Sequence, residues 1–282
     1  MGDEQDRAYV EDQIRAHLGG DLRAAEGLLA EDYLEEYPQS GEVIRGRANA
    51  LAQAAANPSP PQLIGSARLT WCGDRLLAAE ARAAYPDGTW WVIALYEVAG
   101  RTVARETAYF AAPIAPPAWR AAYVTPIPEA DLVGDAGGHQ AVDRELVDRY
   151  FAAMAANDYE SLGRMRHHAF VSDIPQSGER YPSHEAQTTA ERSHPGGPPA
   201  ASGERLRGAE DAWTVGPSFG VLHVSGRGAH WGAEALLTYP SGERSHAITV
   251  LDFRDGLVVR ERQYFCAPFE PAAWRAPWVE RG

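Results

Sequence analysis

Helical and strand-like patterns follow one another along this chain in a fixed order, and the order occurs twice. In the second half, HQAVDRELVDRYFAAMAANDYESLGRMR (139–166) reads as two helices broken near Asn157–Asp158, where Asp158 suits an N-cap. The strand AFVSDI (169–174) follows, and Pro175 ends it. In the first half, RGRANALAQAA (45–55) reads as a short helix, and residues 75–110 read as three strands with turns at Pro86–Gly88 and Ala99–Gly100. In WWVIALYEV (90–98) both alternating sets are apolar: Trp90, Val92, Ala94 and Tyr96 on one side, Trp91, Ile93 and Leu95 on the other. A strand apolar on both faces must be covered on both. Helices first and antiparallel strands afterwards predict an α+β domain.

Two literal repeats make the duplication explicit. PQSGE stands at 38–42 and again at 175–179; RETAYFAAPIAPPAWRAAYV (105–124) matches RERQYFCAPFEPAAWRAPWV (260–279). The offsets are 175 − 38 = 137 and 260 − 105 = 155, so the second copy has gained a net 18 residues between the blocks. Repeats of this size are domains rather than solenoid units. The boundaries read as copy one at 1–124, a Pro-, Gly- and Asp-rich linker at 125–139, and copy two at 140–282 with an inserted loop at about 192–218. That insert is too rich in Gly and Pro for regular structure, and its composition suits either a lid or disorder.

Composition narrows the class. A net charge of −13 argues against a nucleic-acid partner. The two cysteines, Cys72 and Cys266, occupy non-equivalent places and make neither a disulfide framework nor a metal site. The acidic start MGDEQDRAYVED is not a secretion signal, MGDEQD lacks the residue expected for myristoylation, and no apolar run approaches spanning length. A cytoplasmic protein with no membrane partner is expected.

The element order, with a final strand of the form G-R-x-V-x-R-E-x-x-Y-F, resembles the nuclear-transport-factor-2-like superfamily. That superfamily includes SnoaL-like polyketide cyclases, ketosteroid isomerase, scytalone dehydratase and limonene-epoxide hydrolase. The resemblance covers nearly the whole chain, twice. It implies two tandem cone-shaped α+β barrel domains, helices packed in a curved antiparallel sheet, forming an internal pseudo-dimer. Homo-oligomers of such pseudo-dimers are a further option.

The resemblance also assigns candidate residues. The ketosteroid-isomerase oxyanion tyrosine falls on Tyr150, the base aspartate on Ile174 and the second oxyanion donor on Thr249. In copy one these positions are Gln13, Tyr37 and Ala94. Isoleucine cannot abstract a proton, so steroid-isomerase chemistry by the family route is not expected. The inward face of the last strand maps to Glu106, Ala108 and Phe110, and to Glu261, Gln263 and Phe265. A carboxylate against aromatic walls titrates higher than usual, which makes Glu261 the candidate acid/base; pairing with an arginine is the plainer role for both glutamates. Gln39 and Gln176 could meet a ligand carbonyl, and Glu42 and Glu179 suit a helix N-terminus. The matched pair Glu80 and Glu234 points to the opposite face. Seven of nine histidines follow residue 140, with His223 and His230 on predicted strands; Asp173 is also available, as scytalone dehydratase uses histidines and an aspartate. No spacing suggests zinc.

Copy two is therefore the expected working pocket: Glu261, Tyr150, His223 and His230 catalytic, with Ile174, Gln176, Thr249, Gln263, Phe265, Tyr37, Glu106 and Phe110 as ligand contacts. The expected activity is that of a SnoaL-like enzyme without cofactor or metal, acting on a small apolar oxygenated metabolite by cyclase, isomerase or dehydratase chemistry. A non-catalytic ligand-binding or scaffold protein is the alternative. An epoxide hydrolase is subsidiary, because no convincing inward Asp–Glu or Asp–Arg–Asp set stands out.

Overall fold

The computed structural model describes residues 2–71, 75–133, 142, 144–195, 200–201, 214–215, 220–227, 230–238, 242 and 244–281. Two compact units emerge, and they are two tandem α+β domains. In unit 1, α1 (Gly2–Leu18) and α2 (Leu22–Leu28) precede β1 (Leu29–Tyr37) and β2 (Glu42–Arg45). Then come α3 (Arg47–Ala55), β3 (Gln62–Trp71), β4 (Leu76–Tyr85), β5 (Gly88–Ala99) and β6 (Thr102–Ala111). Asp21 starts α2 by accepting the amides of Arg23 (2.9 Å) and Ala24 (3.3 Å). The sheet runs β2-β1-β6-β5-β4-β3, with a short C-terminal strand, Val279–Arg281, on the β2 edge. Val10 and Ile14 of α1 and Ala25 and Leu28 of α2 pack against Tyr33, Tyr96, Val98 and Val103 of the sheet.

Unit 2 repeats the plan. After β7 (Thr125–Pro126) and α4 (Glu129–Val133) come α5 (Arg144–Ala155), α6 (Tyr159–Met165), β8 (Arg166–Ile174), β9 (Glu179–Tyr181) and α7 (His184–Arg192). Short β10 (Ala200–Ala201) and β11 (Thr214–Val215) precede β12 (Gly220–Arg227), β13 (His230–Thr238), β14 (Arg244–Arg254) and β15 (Leu257–Cys266). The order is β11-β12-β13-β14-β15-β8-β9-β7, with β10 beside β13. Asp158 caps α6 through the Ser161 amide (3.0 Å), after Asn157 turns the chain at φ 52°. The expected three strands and both turns stand at 75–110. Both sheets are mixed rather than antiparallel, since β1–β6 and β8–β15 pair in parallel. The insert also contributes β10 and β11 where no regular structure was expected; most of it, and its role as a lid, lies outside the described residues.

The compact units cut across the boundaries read from the sequence. Residues 112 onwards, following copy one's last strand, belong to unit 2, and Pro268–Gly282, following copy two's last strand, belongs to unit 1. This exchange explains both repeats. Arg275 pairs with Glu42 (3.1 and 2.5 Å), and its counterpart Arg120 pairs with Glu179 (2.5 Å). The motif glutamates therefore sit in β2 and β9 holding arginines, rather than at helix N-termini. Gly41 (φ 68°) and Gly178 (φ 69°) occupy the left-handed region that a side chain disfavours.

Candidate acid-pair site

In unit 1 the parallel register sets Glu35 of β1 directly opposite Glu106 of β6. Residues opposite one another share a face, so two carboxyls compete for one place. LAEDYLEEY puts Tyr33, Glu35 and Tyr37 on that face because strand side chains alternate. The Tyr33 hydroxyl donates to Glu106 Oε2 at 2.6 Å, and the Tyr37 hydroxyl donates to Glu35 Oε1. Tyr96, fully buried on β5, faces Glu106 as well. Glu106 is buried, whereas Glu35 keeps partial exposure.

Both carboxyls are pushed up to about 7. For Glu35 the larger cause is burial, followed by the Glu106 charge; Tyr37, His17 and Arg275 oppose the shift. For Glu106 burial raises the value, opposed by the Tyr33 hydroxyl that donates to it and by the neighbouring Tyr96. His17 of α1 is pushed down by burial, partly offset by Glu35, and its Nδ1 is buried without a hydrogen-bond partner among the described residues. An aromatic run leads outwards: Tyr37 to Phe110 at 5.7 Å, Phe110 to Phe269 at 6.1 Å. Phe269 lines an open depression of about 470 Å3 with Gln39, Ser40, Gly41, Pro268, Glu270, Pro271 and Arg281.

Unit 2 uses the same register differently. Ser172 stands where Glu35 does, opposite Glu261. Glu261 is fully buried and accepts from Tyr150 (2.6 Å), Ser172 (3.2 Å), Gln187 (3.2 Å) and Gln263, and ion-pairs with Arg166 at 3.4 Å. Arg166 also donates to Tyr150 (2.9 Å) and to His184 Nδ1 (2.9 Å), since a guanidinium only donates. Burial pushes His184 down, and so does Arg166. Glu191, taking a bond from Gln187 (2.9 Å), is raised to about 7 by burial despite Arg166.

The expected site thus divides. Glu261, Tyr150 and Gln263 come together, and Thr249 lies opposite Gln263 in register. The arginine pairing weighed for both glutamates is met at Glu261 alone. His230 does not join them: it meets Asp252 at 3.0 Å, with Arg262 on the other oxygen at 2.6 Å. The reason is the pleat, which turns His230 and Asp252 to the face opposite Leu251 and Glu261. The backbone of His223 lies opposite Glu234 in β12, and its side chain is outside the described residues. Asp173 is taken by Arg180 (2.6 Å) and Arg260 (2.8 Å).

Gln176 and Gln39 are structural. Gln176 brackets Phe265, accepting its amide at 2.6 Å and donating to its carbonyl at 2.9 Å and to Ala112 at 2.7 Å; Gln39 does the same to Phe110 at 2.6 and 3.0 Å. Ile174 packs with Tyr181, Trp119 and Phe265. Glu106, Tyr37 and Phe110 gather in unit 1, where Glu35, Tyr33, Tyr96 and His17 escaped sequence reasoning. The alternation of Tyr33, Glu35 and Tyr37 before Pro38 was the available signal.

No family model matches the chain, and no curated protein matches it. Solved structures do. A ketosteroid isomerase by assignment from Kribbella flavida DSM 17836 is 22% identical, covering 49% of this chain and 88% of that one at TM-score 0.40. An LEH-like epoxide hydrolase of M. tuberculosis is 15% identical over 43% and 80%, TM-score 0.30. An NTF-2 like protein of unknown function from Burkholderia xenovorans LB400 is 30% identical, covering 49% of this chain and 94% of that one, TM-score 0.40. With that identity along nearly the whole Burkholderia protein, the chain belongs to the NTF2-like family.

Proposed function

We propose that the chain is an enzyme that transfers protons on a small, largely apolar, oxygenated molecule, and that the Glu35–Glu106 pair of unit 1 carries the chemistry. The observation behind this reading is the pair itself: two carboxyls opposite each other in register, both raised to about 7, one of them partly exposed. Groups that titrate near the working pH exchange protons most effectively. Tyr33 and Tyr96 face Glu106 and favour its anion; Glu35, which among the described residues takes a hydrogen bond from Tyr37, keeps the shared proton. Glu35 is then the general acid towards a carbonyl or hydroxyl oxygen, and the Glu106 charge holds its proton in place until the ligand takes it. Aromatic rings of Tyr37 and Phe110 suit an apolar body.

The test is a thermal-shift screen with aromatic polyketides, epoxides and small terpenoids, followed by mass analysis of hits with wild type, Glu35→Gln and Glu261→Gln. Turnover that Glu35→Gln abolishes while binding persists supports the reading. Equal turnover by wild type and Glu35→Gln sinks it. A second reading, binding without turnover, draws on unit 2, where the Glu261 carboxylate is saturated by five partners; stabilisation by a ligand with no product in any variant would favour it.

A further inference from the structure

We propose that Arg275, delivered by the segment that follows copy two's last strand, is the cation that sets the acid pair of unit 1 by its charge, so that this site is completed from the far end of the chain. The inference rests on the reading of Glu35–Glu106 as the working pair and names what sets it. Ala273–Arg275 forms a short 3-10 turn within unit 1. Its guanidinium is held bidentately by Glu42 at 3.1 and 2.5 Å, and Ser40 Oγ donates to the same carboxylate at 2.6 Å. A planar fork held at two points is fixed in orientation, which a single contact would not achieve. So fixed, Arg275 lies over the Tyr37 ring at 5.0 Å, and Tyr37 donates its hydroxyl proton to Glu35. One cation is therefore fixed beside the ring that bonds the acid, where its charge reaches Glu35.

The remaining groups facing Glu35 are Glu106 from β6 and His17 from α1, with Tyr33 and Tyr96 acting on Glu106. Arg275 is the permanent cation among them, since burial disfavours the His17 charge. Unit 2 supplies a built-in control. Arg120 makes the equivalent pair with Glu179, but Ile174 replaces Tyr37 and Ser172 replaces Glu35, so the same clasp there leads to no acid.

Full-length protein carrying 13C at the glutamate side-chain carboxyls would be titrated by NMR, with the Glu35 signal assigned by its loss in Glu35→Gln. Arg275→Gln is expected to move the Glu35 midpoint up by about half a unit. Arg275→Lys, which keeps the charge, should hold it near the wild-type value, and Arg120→Gln should leave it unmoved. Glu42→Gln loosens the same clasp but leaves the cation less neutralised, so the midpoint should fall. Opposite shifts for Arg275→Gln and Glu42→Gln support the proposal. Shifts in one direction for both would make Arg275 a mere brace and overturn it, as would no shift in Arg275→Gln. If Arg275→Gln does not fold, Glu42→Gln and Arg275→Lys decide alone: a rise in the first, or in the second, refutes it. A wild type with no carboxyl titrating near neutrality removes the acid-pair reading instead, and this inference with it.

Discussion

Unit 1 and unit 2 place a glutamate at the same register of the same strand and surround it with opposite electrostatics. Glu261 faces Ser172 and an arginine; Glu106 faces a second glutamate and tyrosines. The sequence differences are few. Tyr33, Glu35, Tyr37 and Tyr96 in copy one correspond to Phe170, Ser172, Ile174 and Leu251 in copy two, while Leu29 and Ala50 correspond to Arg166 and Gln187. A buried glutamate ringed by an arginine and four hydrogen-bond donors is held in place by its neighbours. A buried carboxylate beside another must hold a proton near neutrality. The framework tolerates both because it supplies only position; the neighbours decide the charge.

That comparison can be broken from its most rigid side first. Glu261→Ala strips the partner from Arg166, whose side chain is 1% exposed, and should cost about 3–5 kcal/mol by denaturant unfolding. Glu261→Leu combined with Arg166→Met should cost less than Glu261→Ala, because no lone charge remains. Gln176→Ala removes three hydrogen bonds and leaves the Phe265 amide unpaired, for a loss of about 2–3 kcal/mol. Gln39→Ala, which breaks the matching bracket on Phe110 and strands its amide, should lose a similar amount by the same measurement.

Glu35→Gln should act in the other direction. The folded Glu35 binds its proton up to about 7, whereas an unfolded glutamate releases it near 4.5, so the native state holds the extra proton between those values. Stability from this group is complete at low pH and declines as pH rises through that window. The variant should therefore gain about 1–3 kcal/mol over wild type at pH 8, a few degrees in Tm, and show a flatter Tm profile between pH 5 and 8. The matching change in unit 2, Ser172→Gln, has no charge to relieve and should give no gain. Smallest is Gly41→Ala, about 1 kcal/mol of strain from φ 68°.

Much of the fold was legible. The Asp158 cap, the strands at 75–110 and both PQSGE turns follow from residue type alone, because caps, pleats and left-handed glycines are local requirements. The site was half legible. Glu261 and Tyr150 could be paired from the resemblance to the family, but the other partners of Glu261 come from two further elements and its own strand: Arg166 and Ser172 of β8, Gln187 of α7 and Gln263 of β15. Glu35 is not marked by the family resemblance, which points to Tyr37, two positions along the same face. His230 stands apart from Glu261 for a related reason: its strand is legible in the sequence, and the side of the pleat it occupies is not.

The sequence by itself determined that this protein is a duplicated α+β domain, since literal repeats and local patterning need no partner to be read. Tertiary structure alone decided which copy's clasp closes on which copy's loop, since nothing local distinguishes Arg120 from Arg275. It decided, too, that Glu35 meets Glu106 while Glu261 meets Arg166. Protonation depends on distances of a few ångströms between residues about 70 to 95 positions apart in sequence, and register is what brings them together.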